Sequence, residues 1–189
     1  MSNFLYLSDE QEIASNLLRG DTVLYPTDTI WGLGCDATNV EAIQNVYQLK
    51  NRPLDKKFIL LFSDVNMLSQ YCDLSIEILA SLFTPLNKPT TYILASKFKL
   101  PSILSQDGFW AVRIPNNTFC KYLIHQLGRP LVSTSANLSG APNPNSFLEI
   151  DEKIKEHVDM IVNPDLDSGT GKPSQILKWM DGKIEVIRP

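Results

Sequence analysis

An α/β domain is what this sequence predicts, and three observations predict it. Segments with apolar residues at helical spacing alternate with short runs rich in β-branched and aromatic residues. One run, Phe58 to Phe62, is apolar throughout, as expected of a strand buried on both faces and therefore central in its sheet. No internal repeat, low-complexity segment or Gly/Ser linker interrupts the chain, so residues 1–189 read as one domain, long enough to bury roughly two-thirds of the unfolded surface.

The elements follow in order. Ser8 and Gln11 form a capping box, Ile13 and Leu17 share a face, and Gly20 after Arg19 stops a short first helix. Thr22 to Pro26 reads as a strand running into the loop "PTDTIWGLG". Thr38 and Glu41 repeat the capping pattern ahead of an apolar stripe, Val40, Ile43, Val46 and Tyr47, on a helix that reaches Lys50 and is closed by Pro53. The strand at Phe58 follows. Asp64 caps a helix through Tyr71, and "SIEILASLF" is another that ends before Pro85. "TTYIL" and "WAVRIP" are strands, Phe119 to Leu127 is a helix stopped by Gly128, and "PLVSTS" is a strand entering a turn. Ser139 to Ser146, "SGAPNPNS", is the richest turn cluster and is expected to form a long, mobile loop. "DMIVN", "SQIL" and "KIEVIRP" are short strands.

Composition narrows the function. Of the residues, 43% are apolar and 20% charged, and no apolar run approaches the ~20 residues of a membrane span. The opening "MSNFLYLSDEQEIASN" lacks the basic start and cleavage site of a signal peptide, which places the protein in the cytoplasm. Cys35, Cys72 and Cys120 are widely spaced and suit reduced thiols, while His125 and His157 stand in no metal-binding motif, so no metal ligand is expected. A net charge of -4 disfavours a protein that coats nucleic acid, yet leaves room for a local basic groove.

Four stretches carry polar groups to the ends of expected strands or helices, where α/β sheets place ligands. In "YPTDTIWGLG", Thr27 and Thr29 offer hydroxyls, and Gly32 and Gly34 would let backbone approach a ligand; a polar turn is the simpler reading, and no Rossmann or P-loop fingerprint is present. In "KNRPLDKK", Lys50, Arg52, Lys56 and Lys57 crowd around a turn. Cations at a helix end are ordinary. Convergence is not, because two unit charges ~4 Å apart repel by about 4 kcal/mol at an effective dielectric of ~20, so a multiply charged anion such as a triphosphate or an RNA backbone is expected among them. "STSANLSG" reads equally as a capped turn or as a cradle for phosphate or ribose oxygens, and no nucleophile elbow surrounds its serines. Arg113, inside "WAVRIP", calls for a carboxylate or a phosphate, an internal Asp or Glu serving as well.

"YPTDTIWGLGCDA", "LKNRPLDKKFILL", "WAVRIP", "STSANLSG" and "KPSQI" together resemble the YrdC family in its short bacterial form, the threonylcarbamoyl-AMP synthases, from about Thr22 to Ile176. The resemblance implies an open, twisted mixed sheet with helices around it and a large concave ligand cavity. It implies a nucleotidyltransferase that makes L-threonylcarbamoyladenylate and pyrophosphate from L-threonine, bicarbonate and ATP, for N6-threonylcarbamoyladenosine in tRNAs that read ANN codons. Magnesium would accompany ATP, held largely by phosphate and water, with no protein ligand assigned, and the product would pass to the tRNA threonylcarbamoyl transferase machinery. The family's Lys-x-Arg falls on Lys50 and Arg52, the catalytic pair, with Lys56 beside them on the triphosphate. Its Ser-x-Asn falls on Ser135 and Asn137, with Ser133 adjacent, facing the nucleotide. Thr29, Arg113 and Ser174 fall on positions that line the threonine and adenylate site. The chain departs from the family at "LNKPTTYIL", where a Trp-Pro-Gly-Pro run is usual, and Asn87 and Lys88 are expected to reshape that loop. No additional C-terminal domain is expected, which leaves closure to loops such as 139–146.

Two rivals use the same residues. An RNA-binding module without ATP chemistry would read the cations as a groove for tRNA or double-stranded RNA. A paralogue with other chemistry, such as a carbamoyl-adenylate step of hydrogenase maturation, would keep the fold.

Overall fold

The structure, a computed structural model, describes residues 6–84, 88–97, 99–180 and 183–189. Along the chain run β1 (Tyr6–Leu7), α1 (Glu10–Arg19), β2 (Val23–Tyr25), β3 (Gly32–Gly34), α2 (Val40–Leu49), β4 (Ile59–Leu61), α3 (Val65–Tyr71), α4 (Ile76–Phe83), β5 (Thr90–Ala95), β6 (Phe109–Arg113), α5 (Thr118–Leu127), β7 (Leu131–Ser135), α6 (Glu152–His157), β8 (Met160–Val162), β9 (Gln175–Met180) and β10 (Lys183–Arg188). The strands form one open mixed sheet in the order β1-β8-β2-β3-β7-β4-β6-β5-β9-β10. β4 is central, parallel to β6 and antiparallel to β7, as its apolar run predicts. No helix among the described residues is long and apolar enough to cross a membrane.

Strand alternation divides the core into two. Val23, Tyr25, Leu61, Leu131, Met160 and Val162 pack with Ile13 and Leu17 of α1 and with Leu123, Ile124 and Leu127 of α5. Their strand neighbours Leu24, Leu60, Val132 and Ile161 face the other way, against Ile43 and Val46 of α2, Leu68 of α3 and Ile154 of α6. Every second side chain therefore enters a different layer, which is why these strands contain few polar positions.

Local chemistry corrects several expectations. The first helix is capped by Asp9, which accepts from the Glu12 amide at 2.8 Å, and not by Ser8. The second is capped by Asn39, which accepts from the Ala42 amide at 3.1 Å, while the Thr38 hydroxyl donates instead to Asp36. α2 is ended by Asn51, whose φ of 48° lies in the left-handed region, ahead of any effect of Pro53. The Asn51 amide donates to Gln48 O and the Arg52 amide to Tyr47 O, both at 2.9 Å, the paired bonds of a Schellman turn. That turn throws Lys50 and Arg52 in different directions. Part of "PTDTIWGLG" is strand β3, and Glu152–His157, to which no element was assigned from the sequence, form α6. Asn87 lies outside the described residues, and Lys88 is exposed.

Candidate functional site

A cavity of about 260 Å³ opens on the α1/α5 face of the sheet, lined by no residue of either helix. Ile59 and Leu61 of β4, Ala111 and Arg113 of β6, and Ser133 and Ser135 of β7 supply its floor, because alternate residues of paired strands share a face. Arg52, Lys57, Arg113 and Arg188 reach it, and among the described residues the lining contains no carboxylate. On a chain of net charge -4, this is where positive charge is gathered.

Lys50 ties the first basic motif to the serine-rich turn. Its side chain is 1% exposed, and Nζ donates to the carbonyls of Ser135 and Asn137 and, at 3.4 Å, to Asn137 Oδ1. The Ser139 amide donates back to Lys50 O at 2.9 Å, Ser135 Oγ donates to Asn137 Oδ1, and Asn137 Nδ2 donates to Ala141 O. Lys50 and Asn137 thus stand behind the lining and set the turn that presents Ser135 and Asn143. Burial, with a smaller contribution from the Arg52 guanidinium, brings the Lys50 pKa down to about 7. Between that value and the ordinary lysine value the unfolded chain holds a proton that the folded chain has released, so stability rises with pH across this window. Relative to Lys50→Met, the ligand-free protein is expected to gain on the order of a few kcal/mol from pH 6.5 to pH 9.5, read from urea midpoints.

Among the described residues, Arg52 is held without an acid. Nε donates to Lys56 O at 2.9 Å and Nη2 to Lys57 O at 2.8 Å, while the guanidinium lies 5.2 Å from the Phe58 ring centroid. The loop of the basic motif is thereby folded onto its own arginine. Lys56 is exposed and outside the lining; Lys57, to which no role was given, lines the cavity and donates to Leu54 O.

The threonine loop meets Arg113 from the opposite side. Arg113 Nη1 donates to Thr29 Oγ1 at 2.9 Å, and Nη2 pairs with Asp28 Oδ2 at 2.7 Å, both side chains being largely buried. The internal acid allowed for in the sequence is Asp28. Residues 167–174 then lie as a strap across this loop: Trp31 Nε1 donates to Asp167 Oδ2 at 2.7 Å and the Gly171 amide to Thr29 O at 2.8 Å. Past the strap, Ser174 Oγ meets Thr91 Oγ1 at 2.8 Å, and Arg188 donates to Ser174 O through Nε at 2.9 Å and Nη2 at 2.6 Å. Ser174 and Arg188 both line the cavity, Arg188 having been read only as part of a strand. A faint signal was present: "VIRP" at 186–189 has the composition of "VRIP" around Arg113, with Ile and Arg exchanged.

Thr29, Arg52, Arg113, Ser133, Ser135 and Ser174 are thus brought to one cavity. Gly32 lines it too, whereas Gly34 serves the sheet: a Cβ there would lie 2.0 Å from Val132 O of β7.

Fold and cavity together define an α/β protein with a concave site lined by cations and hydroxyls. The chain belongs to the Sua5/YciO/YrdC family, whose model, described as telomere recombination, matches residues 15–189. A threonylcarbamoyl-AMP synthase of Pseudoalteromonas translucida is 34% identical over 94% of this chain and 98% of its own. A variant of Sua5 from P. abyssi superposes with a TM-score of 0.84 at 27% identity, covering 95% of this chain, which spans 56% of that longer one. YciO of E. coli superposes with a TM-score of 0.80 at 25% identity over 100% of this chain and 95% of its own.

Proposed function

We propose that this chain is a threonylcarbamoyl-AMP synthase, joining L-threonine, bicarbonate and ATP into L-threonylcarbamoyladenylate with release of pyrophosphate. The observation that carries the reading is a lining that, among the described residues, has four cations and six hydroxyl side chains and no thiol, imidazole or carboxylate, in a chain 34% identical to a protein of that name. Such a lining brings no imidazole or carboxylate to activate a nucleophile as a general base. It can position and neutralise polyanions.

The reaction needs little more. The threonine amine adds to bicarbonate with loss of water to give a carbamate, and a carbamate oxygen attacks the α-phosphorus of ATP. The new C–O–P link forms as the bond to the β-phosphate breaks, and the electron pair leaves with pyrophosphate. Arg52 and Lys57 come from the turn between α2 and β4, Arg113 from β6 and Arg188 from β10, so charge on the leaving group and on the threonine carboxylate can be met at once. Mg2+ enters as part of the MgATP substrate, held largely by phosphate oxygens and water, as this reluctantly dehydrated cation usually is. The adenylate then serves tRNA threonylcarbamoylation through the transferase machinery.

Pyrophosphate release is expected to require both L-threonine and bicarbonate and to fall about 100-fold or more in Arg52→Ala, in line with removal of a group that meets transition-state charge. ATP turnover indifferent to threonine would overturn the substrate assignment. The RNA-binding reading is less well supported. About 260 Å³ of concave space suits a small molecule, and the cations face inward to it. Salt-sensitive tRNA binding without ATP turnover would restore that alternative.

A further inference from the structure

Tyr25 closes β2 with a side chain that is 0% exposed, and a phenol buried this deeply needs a partner for its O–H. The partner stands two strands away. The ring crosses β3 at its glycines: a Cβ on Gly32 would lie 2.9 Å from Tyr25 Cζ, and one on Gly34 would lie 3.3 Å from Cε1. Over these absent side chains the phenol reaches β7, where Oη donates to Ser133 Oγ at 2.7 Å. Ser133 lines the cavity and Tyr25 does not.

A serine hydroxyl has one proton to give and two lone pairs to offer. Among the described residues Ser133 Oγ has no other protein hydrogen bond, and Tyr25 Oη has no other acceptor. Burial above all pushes the phenol pKa far upward, so its proton is retained at every working pH. One lone pair of Ser133 is therefore occupied from behind, and its own proton is turned toward the cavity.

We infer that Tyr25 is a positioning residue that fixes the direction of the Ser133 hydroxyl, making it a committed donor to an anionic oxygen, phosphate or carboxylate, of the bound substrate. The inference rests on the proposed reading of the site and deepens it. Ser133 selects an acceptor and disfavours an ammonium at that position, and the Gly-x-Gly of β3 is the opening through which this control is exerted.

Tyr25→Phe keeps the ring over the glycines and removes only the hydroxyl. A Raman difference spectrum, wild type minus Tyr25→Phe, isolates this phenol among the six tyrosines of the full chain. The hydrogen-bond donor signature is expected, and its loss in Ser133→Ala; an acceptor signature overturns the inference whatever the protein binds. Calorimetric titrations with ATP and with L-threonine form separate arms. Tyr25→Phe is expected to weaken whichever ligand places its oxygen at Ser133 by about 5- to 10-fold, the scale of one hydrogen bond. Ser133→Ala weakens the same arm, and the double variant binds no more weakly than Ser133→Ala. Fully additive losses, or a Tyr25→Phe protein that binds both ligands as the wild type does, overturn the inference. A donor signature in a wild-type protein that binds neither ligand upholds the geometry and instead overturns the functional reading.

Discussion

Arg113→Met is expected to remove about 3 to 5 kcal/mol of stability, the cost of leaving a buried charge without its partner, and to abolish threonine-dependent pyrophosphate release. Asp28 Oδ2 would retain only the Asn116 amide at 3.1 Å, and Asp28 Oδ1 has no partner among the described residues even with Arg113 present. Thr29 would lose its 2.9 Å donor at the same time. Urea unfolding measures the first effect and a pyrophosphate assay the second. The pair can be separated from the chemistry by adding Asp28→Asn to Arg113→Met. This double variant should recover a substantial part of the lost stability, because no carboxylate remains to be solvated, and none of the activity. A double variant as unstable as Arg113→Met would show that the ion pair is not what Arg113 contributes.

Lys50→Met should invert this balance between stability and activity. Removing the ammonium leaves the carbonyls of Ser135 and Asn137 without their donor, at a cost of about 1 to 3 kcal/mol, but it also removes a cation from a site that is 1% exposed. These terms oppose each other, so the net change in stability at neutral pH should be small. Activity should nevertheless fall by about 10²- to 10³-fold in kcat/KM, as for loss of a preorganising electrostatic group. A variant that keeps both its melting temperature and its turnover would remove Lys50 from the machinery.

Particular residues show what the sequence discloses and what it withholds. The central place of β4 follows from Phe58 to Phe62 because a strand covered on both sides can hold no polar side chain. β3 is concealed for the opposite reason. Gly-Leu-Gly has little intrinsic strand preference, and it becomes a strand only because β2 and β7 supply hydrogen bonds on its two sides. Capping was recognised as a type and misplaced by one residue, at Ser8 instead of Asp9 and at Thr38 instead of Asn39, since adjacent side chains of equal capacity are told apart only by the backbone direction. The convergence of basic and serine-rich motifs was readable from residue types. That Lys50 serves the second motif from behind, while Lys57 and not Lys56 reaches the cavity, depends on the left-handed Asn51 and on how the turn folds over Arg52.

The strap has a consequence for how this protein comes into being. Trp31 and Asp167 are 136 positions apart, and Arg113 and Asp28 are 85 apart, so the contacts that fix the threonine loop are among the most distant in the chain. Local helices can form early, but closing loops of this length must wait for collapse of the intervening sheet. During synthesis the loop carrying Thr29 therefore emerges long before anything exists to hold it. Binding competence should appear late, once residues 167–171 have joined the loop that carries Thr29.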